Sequence, residues 1–130
     1  MEHYSEAAVR HWRDAQFLET DRRLENADQL LALATECAIK AALLFSVAPG
    51  VLSAVPYKHL DAGLWEKAAL QLNAKRYPGL HAVLKLANPF ANWAIAQRYY
   101  ANGCITPEVH ASHKQAARRV LGAIGLLAVK

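Results

Sequence analysis

The sequence predicts an all-α protein, an up-and-down helical bundle of four to five helices, and three observations predict it. Ala and Leu dominate a hydrophobic fraction of 54% while β-branched residues are sparse, which favours helix over strand. The 5 Pro and 6 Gly fall in a few places, where they punctuate long segments instead of interrupting them. Within those segments apolar residues recur at helical spacing. A chain of 130 residues suits a single domain, residues 1–130, around one core.

The first helix is expected over about residues 4–22, with Val9, Trp12 or Arg13, Gln16 or Phe17, and Leu18 as a moderate amphipathic stripe. The second begins near Asn26, a good N-cap, and Gln29 three positions on completes a capping-box pattern. It runs to about Val47 and stops before Pro49-Gly50. Ala27, Ala34, Ala38 and Ala41 line one of its faces with small side chains, so a neighbouring helix can approach closely. Residues 51–59, which hold Pro56, read as a loop.

A third helix is expected from Asp61, as N-cap, to about Ala74, and the chain turns at Tyr77-Pro78-Gly79. A fourth covers about 80–87; beyond Pro89 the helix resumes over 90–100, carrying Trp93, and Asn102-Gly103 closes it. The last helix has the clearest start: Thr106 as N-cap, Pro107 at the first helical position and Glu108 near the positive end of the dipole. It runs to about Val129, with Val109, Ala116, Val120, Ala123 and Leu127 as its apolar stripe. Trp12, Trp65 and Trp93 are expected to pack core faces.

Composition removes several function classes. The net charge of +4 is a mild basic bias that permits nucleic acid without requiring it. Cys37 and Cys104 are too few for a disulfide scaffold, and a reducing cytoplasm fits them; Cys37 reads as a small buried thiol. The N-terminus is polar and charged, so no secretory signal is expected. A membrane span over residues 30–55 would hold Glu36 and Lys40, at about 2.5–3.5 kcal/mol each, and no membrane association is expected. There is no P-loop, no dinucleotide-type glycine pattern and no nucleophile elbow, and no cofactor is expected. His110 and His113 are spaced i, i+3, but no carboxylate joins them at suitable spacing, so no metal site is expected.

Two stretches carry chemistry. Glu36 and Lys40 stand at i, i+4 inside the most apolar helix, with the acid first, the favourable order for an ion pair. Buried charges need partners, because desolvation costs several kcal/mol per ion. The plainer reading is a pair completed by another helix; the sharper one is a polar site between helices or across a dimer interface. Arg22 and Gln29 fall on the same stripe. Farther on, His110, Lys114 and Arg118 form an i, i+4 stripe with Arg119 beside it. Such a stripe is commonly a solvated face. Here it could also contact phosphates, helped by Arg98, Tyr99 and Tyr100 upstream, whose tyrosines could stack bases. His11 and Asp14 read as a surface hydrogen bond.

The run DAQFLETDRRLENADQLLALATECAIKAALLF resembles the start of a HEPN domain, the higher-eukaryote and prokaryote nucleotide-binding family. The segment Glu36-Cys37-Ala38-Ile39-Lys40 is similar to one on the family's Ala-rich second helix. Lys58-His59-Leu60 resembles the Lys-His-x-Leu element after the following loop, and WAIAQRY, Trp93 to Tyr99, resembles the Trp–Arg-Tyr element before the last helix. The resemblance implies a helical bundle, commonly a homodimer, in bacterial or archaeal stress, defence or toxin–antitoxin systems. Members bind RNA or nucleotides, act as metal-independent ribonucleases, or partner small nucleotidyltransferases. It places Glu36, Lys40, His59, Arg98 and Tyr99 among the binding residues, beside Lys114 and Arg118 from the basic stripe.

The family's nuclease motif, Arg-x4–6-His, is met by Arg76 and His81. There His would act as acid or base toward the ribose 2′-OH and Arg would stabilise charge on the phosphorane. Arg98, the arginine better placed by the resemblance, has no His at that spacing; the next is His110. Three readings follow: an RNA- or nucleotide-binding HEPN-type protein, a ribonuclease through Arg76 and His81, and a non-catalytic helical interaction module.

Overall fold

A computed structural model describes residues 3–44, 46 and 59–127. Its ordered elements are α1 (Tyr4–Thr20), α2 (Leu24–Leu44), a 3₁₀ turn (Leu60–Ala62), α3 (Leu64–Gln71), α4 (Pro78–Leu84), a second 3₁₀ turn (Ile95–Tyr99) and α5 (Pro107–Ala123). Among the described residues the protein is an all-α bundle, and none of its helices is long and apolar enough to cross a membrane. The expected loop at 51–58 and the expected end of the second helix at Val47 lie outside the described residues, whereas the last helix stops at Ala123, short of the expected Val129.

The centre of the bundle is α2, which packs against α1, α3, α5 and the second 3₁₀ turn. Its small-residue face is closed as expected, with Ala27, Ala34, Ala38 and Ala41 all buried. On the facing side α1 buries Ala8 and Ala15, so the two helices meet over small side chains. Phe17 departs from the expected α1 stripe and is 77% exposed, because the buried positions of α1 are the alanines instead. Trp65 and Trp93 reach the core, and Trp12 packs against it half-buried.

The α1–α2 corner is tighter than the sequence predicts. Helix α1 ends at Thr20 because Arg22 adopts φ 58°, and the Arg22 and Arg23 N–H groups return to the Glu19 and Leu18 carbonyls. That is a Schellman cap, with arginine where glycine is usual. The reversal starts α2 at Leu24, so Asn26 lies inside the first turn and does not cap it. Gln29 makes no capping box; its side-chain amide donates to the Ala94 carbonyl at 3.3 Å. Helix α5 ends through the same motif with the usual residue: Gly125 has φ 75°, and the Gly125 and Leu126 N–H groups return to Gly122 and Leu121.

The middle section is more broken than expected. Asp61 does not cap α3. Gly63, at φ 89°, holds the N-cap position, and the Asp61 carboxylate accepts the Ile95 N–H at 2.9 Å. Helix α3 stops at Gln71, short of Ala74, because Leu72 is extended. Pro78 opens α4 at its first position instead of sitting in a turn. Residues 90–100 form turns and one 3₁₀ segment instead of an α-helix. The reason is local: Asn88 Oδ1 accepts the Phe90 N–H at 2.9 Å and Gln97 Oε1 accepts the Ala94 N–H at 3.1 Å. The Ala94 N–H is a donor that a helix begun at Phe90 would return to the Phe90 carbonyl, and Gln97 takes it instead. The α5 start is as predicted, with Thr106 Oγ1 accepting the Val109 N–H at 3.1 Å.

Candidate functional site

Glu36 lies on α2, 4% exposed, and its carboxylate gathers three donors. Lys40 Nζ lies 3.3 Å from Oε2, and Oε1 accepts the Leu60 N–H at 3.1 Å. His59 Nδ1 is 3.1 Å from Oε1 and 3.3 Å from Oε2. The Glu36 carboxylate is therefore met by the 3₁₀ turn and its preceding residue as well as by Lys40. Because a carboxylate only accepts, Nδ1 of His59 carries its proton here, and Nε2 is the nitrogen left for another partner. The His59 side chain is 41% exposed, against 6% for Glu36.

Other groups surround this centre. Lys40 Nζ stands 5.8 Å from the centroid of the Tyr4 ring. Burial lowers the His11 pKa and Arg10 lowers it further, against upward pulls from Asp14 and Glu36. Burial pushes the Cys37 thiol up to about 11, and the Glu36 charge adds to it, so Cys37 is a poor nucleophile. Arg22 and Gln29 do not join: one sits in the left-handed corner before α2, the other is spent on Ala94.

A second polar centre joins His110, His113 and Lys114, which spacing along α5 singles out, to Glu19, Asp28 and Asn92, which it does not. Asp28 on α2 is 1% exposed, and both its oxygens lie 2.9 Å from His113 Nδ1. His113 stacks on Phe90 at 4.8 Å, and its Nε2 lies 2.7 Å from Asn92 Oδ1. His110 Nδ1 lies 3.2 Å from Asp28 Oδ1, and its Nε2 lies 3.2 Å from Glu19 Oε2. The other Glu19 oxygen accepts from Lys114 Nζ at 3.0 Å. The result is one chain of contacts, Lys114–Glu19–His110–Asp28–His113–Asn92, tying α1, α2, α5 and the 88–94 turn together. The i, i+3 spacing of the histidines is used, but their shared partner is a carboxylate.

Both ring nitrogens of His110 face carboxylates, an arrangement that suits two donors and hence the imidazolium. Burial lowers its pKa, but the hydrogen bonds and charges of Asp28 and Glu19 outweigh that and raise it. For Asp28 burial works upward, and the two histidines reverse it to a net lowering. Glu19 behaves likewise, with burial overcome by Lys114 and His110. This corrects the expected basic stripe. His110 faces inward and Lys114 is paired with Glu19, so Arg118 and Arg119 are its exposed members.

This chain reaches the surface at a groove of about 510 Å³ where the end of α1 and the start of α2 meet α5. Glu19, His110, Lys114, Gln115 and Arg118 give it polar walls, and Leu24, Pro107 and Ala111 give it apolar ones. The Arg118 guanidinium stands 5.8 Å from the Trp12 ring. Elsewhere Arg98 lies over the Tyr99 ring at 5.0 Å, with Tyr99 77% and Tyr100 55% exposed. The turn that carries Arg98 and Tyr99 is held through Ile95 on Asp61 and Ala94 on Gln29.

Arg76 and His81 belong to neither polar centre. Arg76 is exposed before α4, with its Nε donating to the Tyr77 hydroxyl at 3.2 Å. His81 is half-buried in the first half of α4. Neither lines the groove on α5. Comparison of the chain with protein-family models, curated proteins and solved structures returns no match.

Proposed function

We propose that the protein binds RNA or a nucleotide as a HEPN-type helical protein, with the groove between α1 and α5 as the binding site. The observation that carries this reading is the groove itself, which sets Lys114 and Arg118 beside apolar walls in about 510 Å³. That size suits a nucleotide-sized group. Arg118 and Lys114 would take phosphates, and Leu24 and Pro107 offer apolar surface to a base. The exposed Arg98–Tyr99 pair adds a stacking platform of the kind single strands use. Fluorescence anisotropy of a short labelled RNA across a salt series tests the reading. Affinity is expected to weaken steeply with salt and to fall in the double variant Lys114→Ala, Arg118→Ala. Absent or salt-indifferent binding would sink it.

Ribonuclease activity is the second reading, and the His59–Glu36 contact favours it more than the Arg76–His81 motif does. A ring fixed through Nδ1 by a carboxylate presents Nε2 as a proton acceptor. Incubation with total RNA, comparing wild type with His59→Ala and His81→Ala, separates the two histidines. Loss of cleavage in His59→Ala alone supports the dyad, and intact RNA in every sample removes catalysis. The resemblance behind these readings also implies a homodimer in a stress, defence or toxin–antitoxin module, in some members partnered by a nucleotidyltransferase, and the two cysteines fit a reducing cytoplasm. Sedimentation of the purified chain tests the homodimer.

A further inference from the structure

We propose that Glu19 is an internal competitor for the ligand of the α1–α5 groove, masking Lys114 until a phosphate displaces it. The inference rests on the binding reading above and concerns how that same site is regulated. One Glu19 oxygen holds Lys114 Nζ at 3.0 Å and the other faces His110 Nε2 at 3.2 Å. All three residues line the groove, with Arg118 one helical turn beyond Lys114. The side chains of Glu19 and Lys114 are 29% and 24% exposed, so solvent and solutes reach the pair. An ion pair this open is weak and breaks readily.

The arrangement allows exchange without leaving a buried charge alone. When a ligand phosphate takes Lys114, Glu19 keeps His110 through its other oxygen. His110 in turn remains on Asp28. No covalent step is involved; one anion replaces another on the lysine ammonium. Arg118 stands over the Trp12 ring, outside the Glu19 ion pair, so it is the first contact for an incoming phosphate. Lys114 is the second, gained only against Glu19.

The test is a double-mutant cycle read by anisotropy with labelled oligouridylate of about ten nucleotides, within the span of a basic single-strand groove. Glu19→Gln keeps the side-chain shape and is expected to tighten binding by about fivefold, the upper range for one partly exposed ion pair. In a Lys114→Ala background the same change is expected to give no gain beyond that of Asp14→Asn, which removes an exposed charge elsewhere on α1. An equal gain from Glu19→Gln with and without Lys114, or no gain, overturns the proposal while wild-type binding still stands. Absent wild-type binding overturns both the proposal and the reading beneath it. Should Glu19→Gln fold poorly, the side-chain carboxyl carbon resonance of Glu19 in the unaltered protein decides the same question. It is expected to move as RNA is added, and a stationary signal contradicts displacement.

Discussion

At the scale of single residues, the two buried carboxylates of α2 have different jobs. Glu36 fastens the chain just before α3 to the bundle, while Asp28 joins three helices and a turn through two imidazoles. Removing Asp28 would leave His110 and His113, both under 5% exposed, without their shared acceptor. Asp28→Ala is expected to cost about 3–5 kcal/mol, as breaking a buried pair does, measured by urea unfolding. The pH dependence follows from signs. Folding raises the His110 pKa above its ordinary 6.5, so its contribution is full below about pH 6.5 and is lost as pH rises through the folded value. Folding lowers Asp28 and Glu19, so theirs is full above the ordinary carboxylate values of 3.8 and 4.5 and is lost as pH falls through the folded ones. The urea midpoint is therefore expected to decline on both sides of mildly acid pH. His110→Asn should flatten the alkaline side, and an unchanged alkaline decline would mean that another group causes it. Glu36 was legible in the sequence because a charge in mid-helix among apolar residues demands a partner. Asp28 was not, because an acid near a helix start is ordinarily a solvated dipole partner.

Among the elements, capping decides where helices stop, and caps were legible only where the residue type announced them. Thr106-Pro107 announced the α5 start. Gly125 could have announced its end, and the expected continuation to Val129 passed over it. Arg22 announced nothing, since a left-handed arginine looks like any other in sequence. It holds φ 58°, a conformation that costs a side-chain-bearing residue about 1–2 kcal/mol. Arg22→Gly is expected to stabilise the protein by up to about 1 kcal/mol, read as a raised Tm, because glycine fits the Schellman position without that cost. Destabilisation would mean that the arginine side chain contributes contacts that outweigh the strain. The 90–100 segment failed as a helix for a related reason: Gln97 turns its side chain onto the Ala94 N–H, a competition that periodicity does not display.

For the molecule as a whole, the all-α bundle was readable from Ala- and Leu-rich periodicity, and α2 is its axis because nearly every face of it is covered. The polar architecture was half readable. The Glu36–Lys40 pair stood out along the chain, but its completion by His59 depends on contacts 23 positions apart. The Asp28 chain depends on contacts more than 80 positions apart, which spacing along one helix cannot reveal. Only in three dimensions does the basic stripe of α5 divide into an inward histidine, a paired lysine and an outward arginine beside a groove. The central claim is that this groove is where RNA or a nucleotide binds. An amide NMR titration of the isotope-labelled protein with short single-stranded RNA tests it most directly. The account predicts saturable shifts centred on Glu19, Leu24, Ala111, Lys114 and Arg118; shifts confined to the Arg76–His81 turn, or none at all, would contradict it.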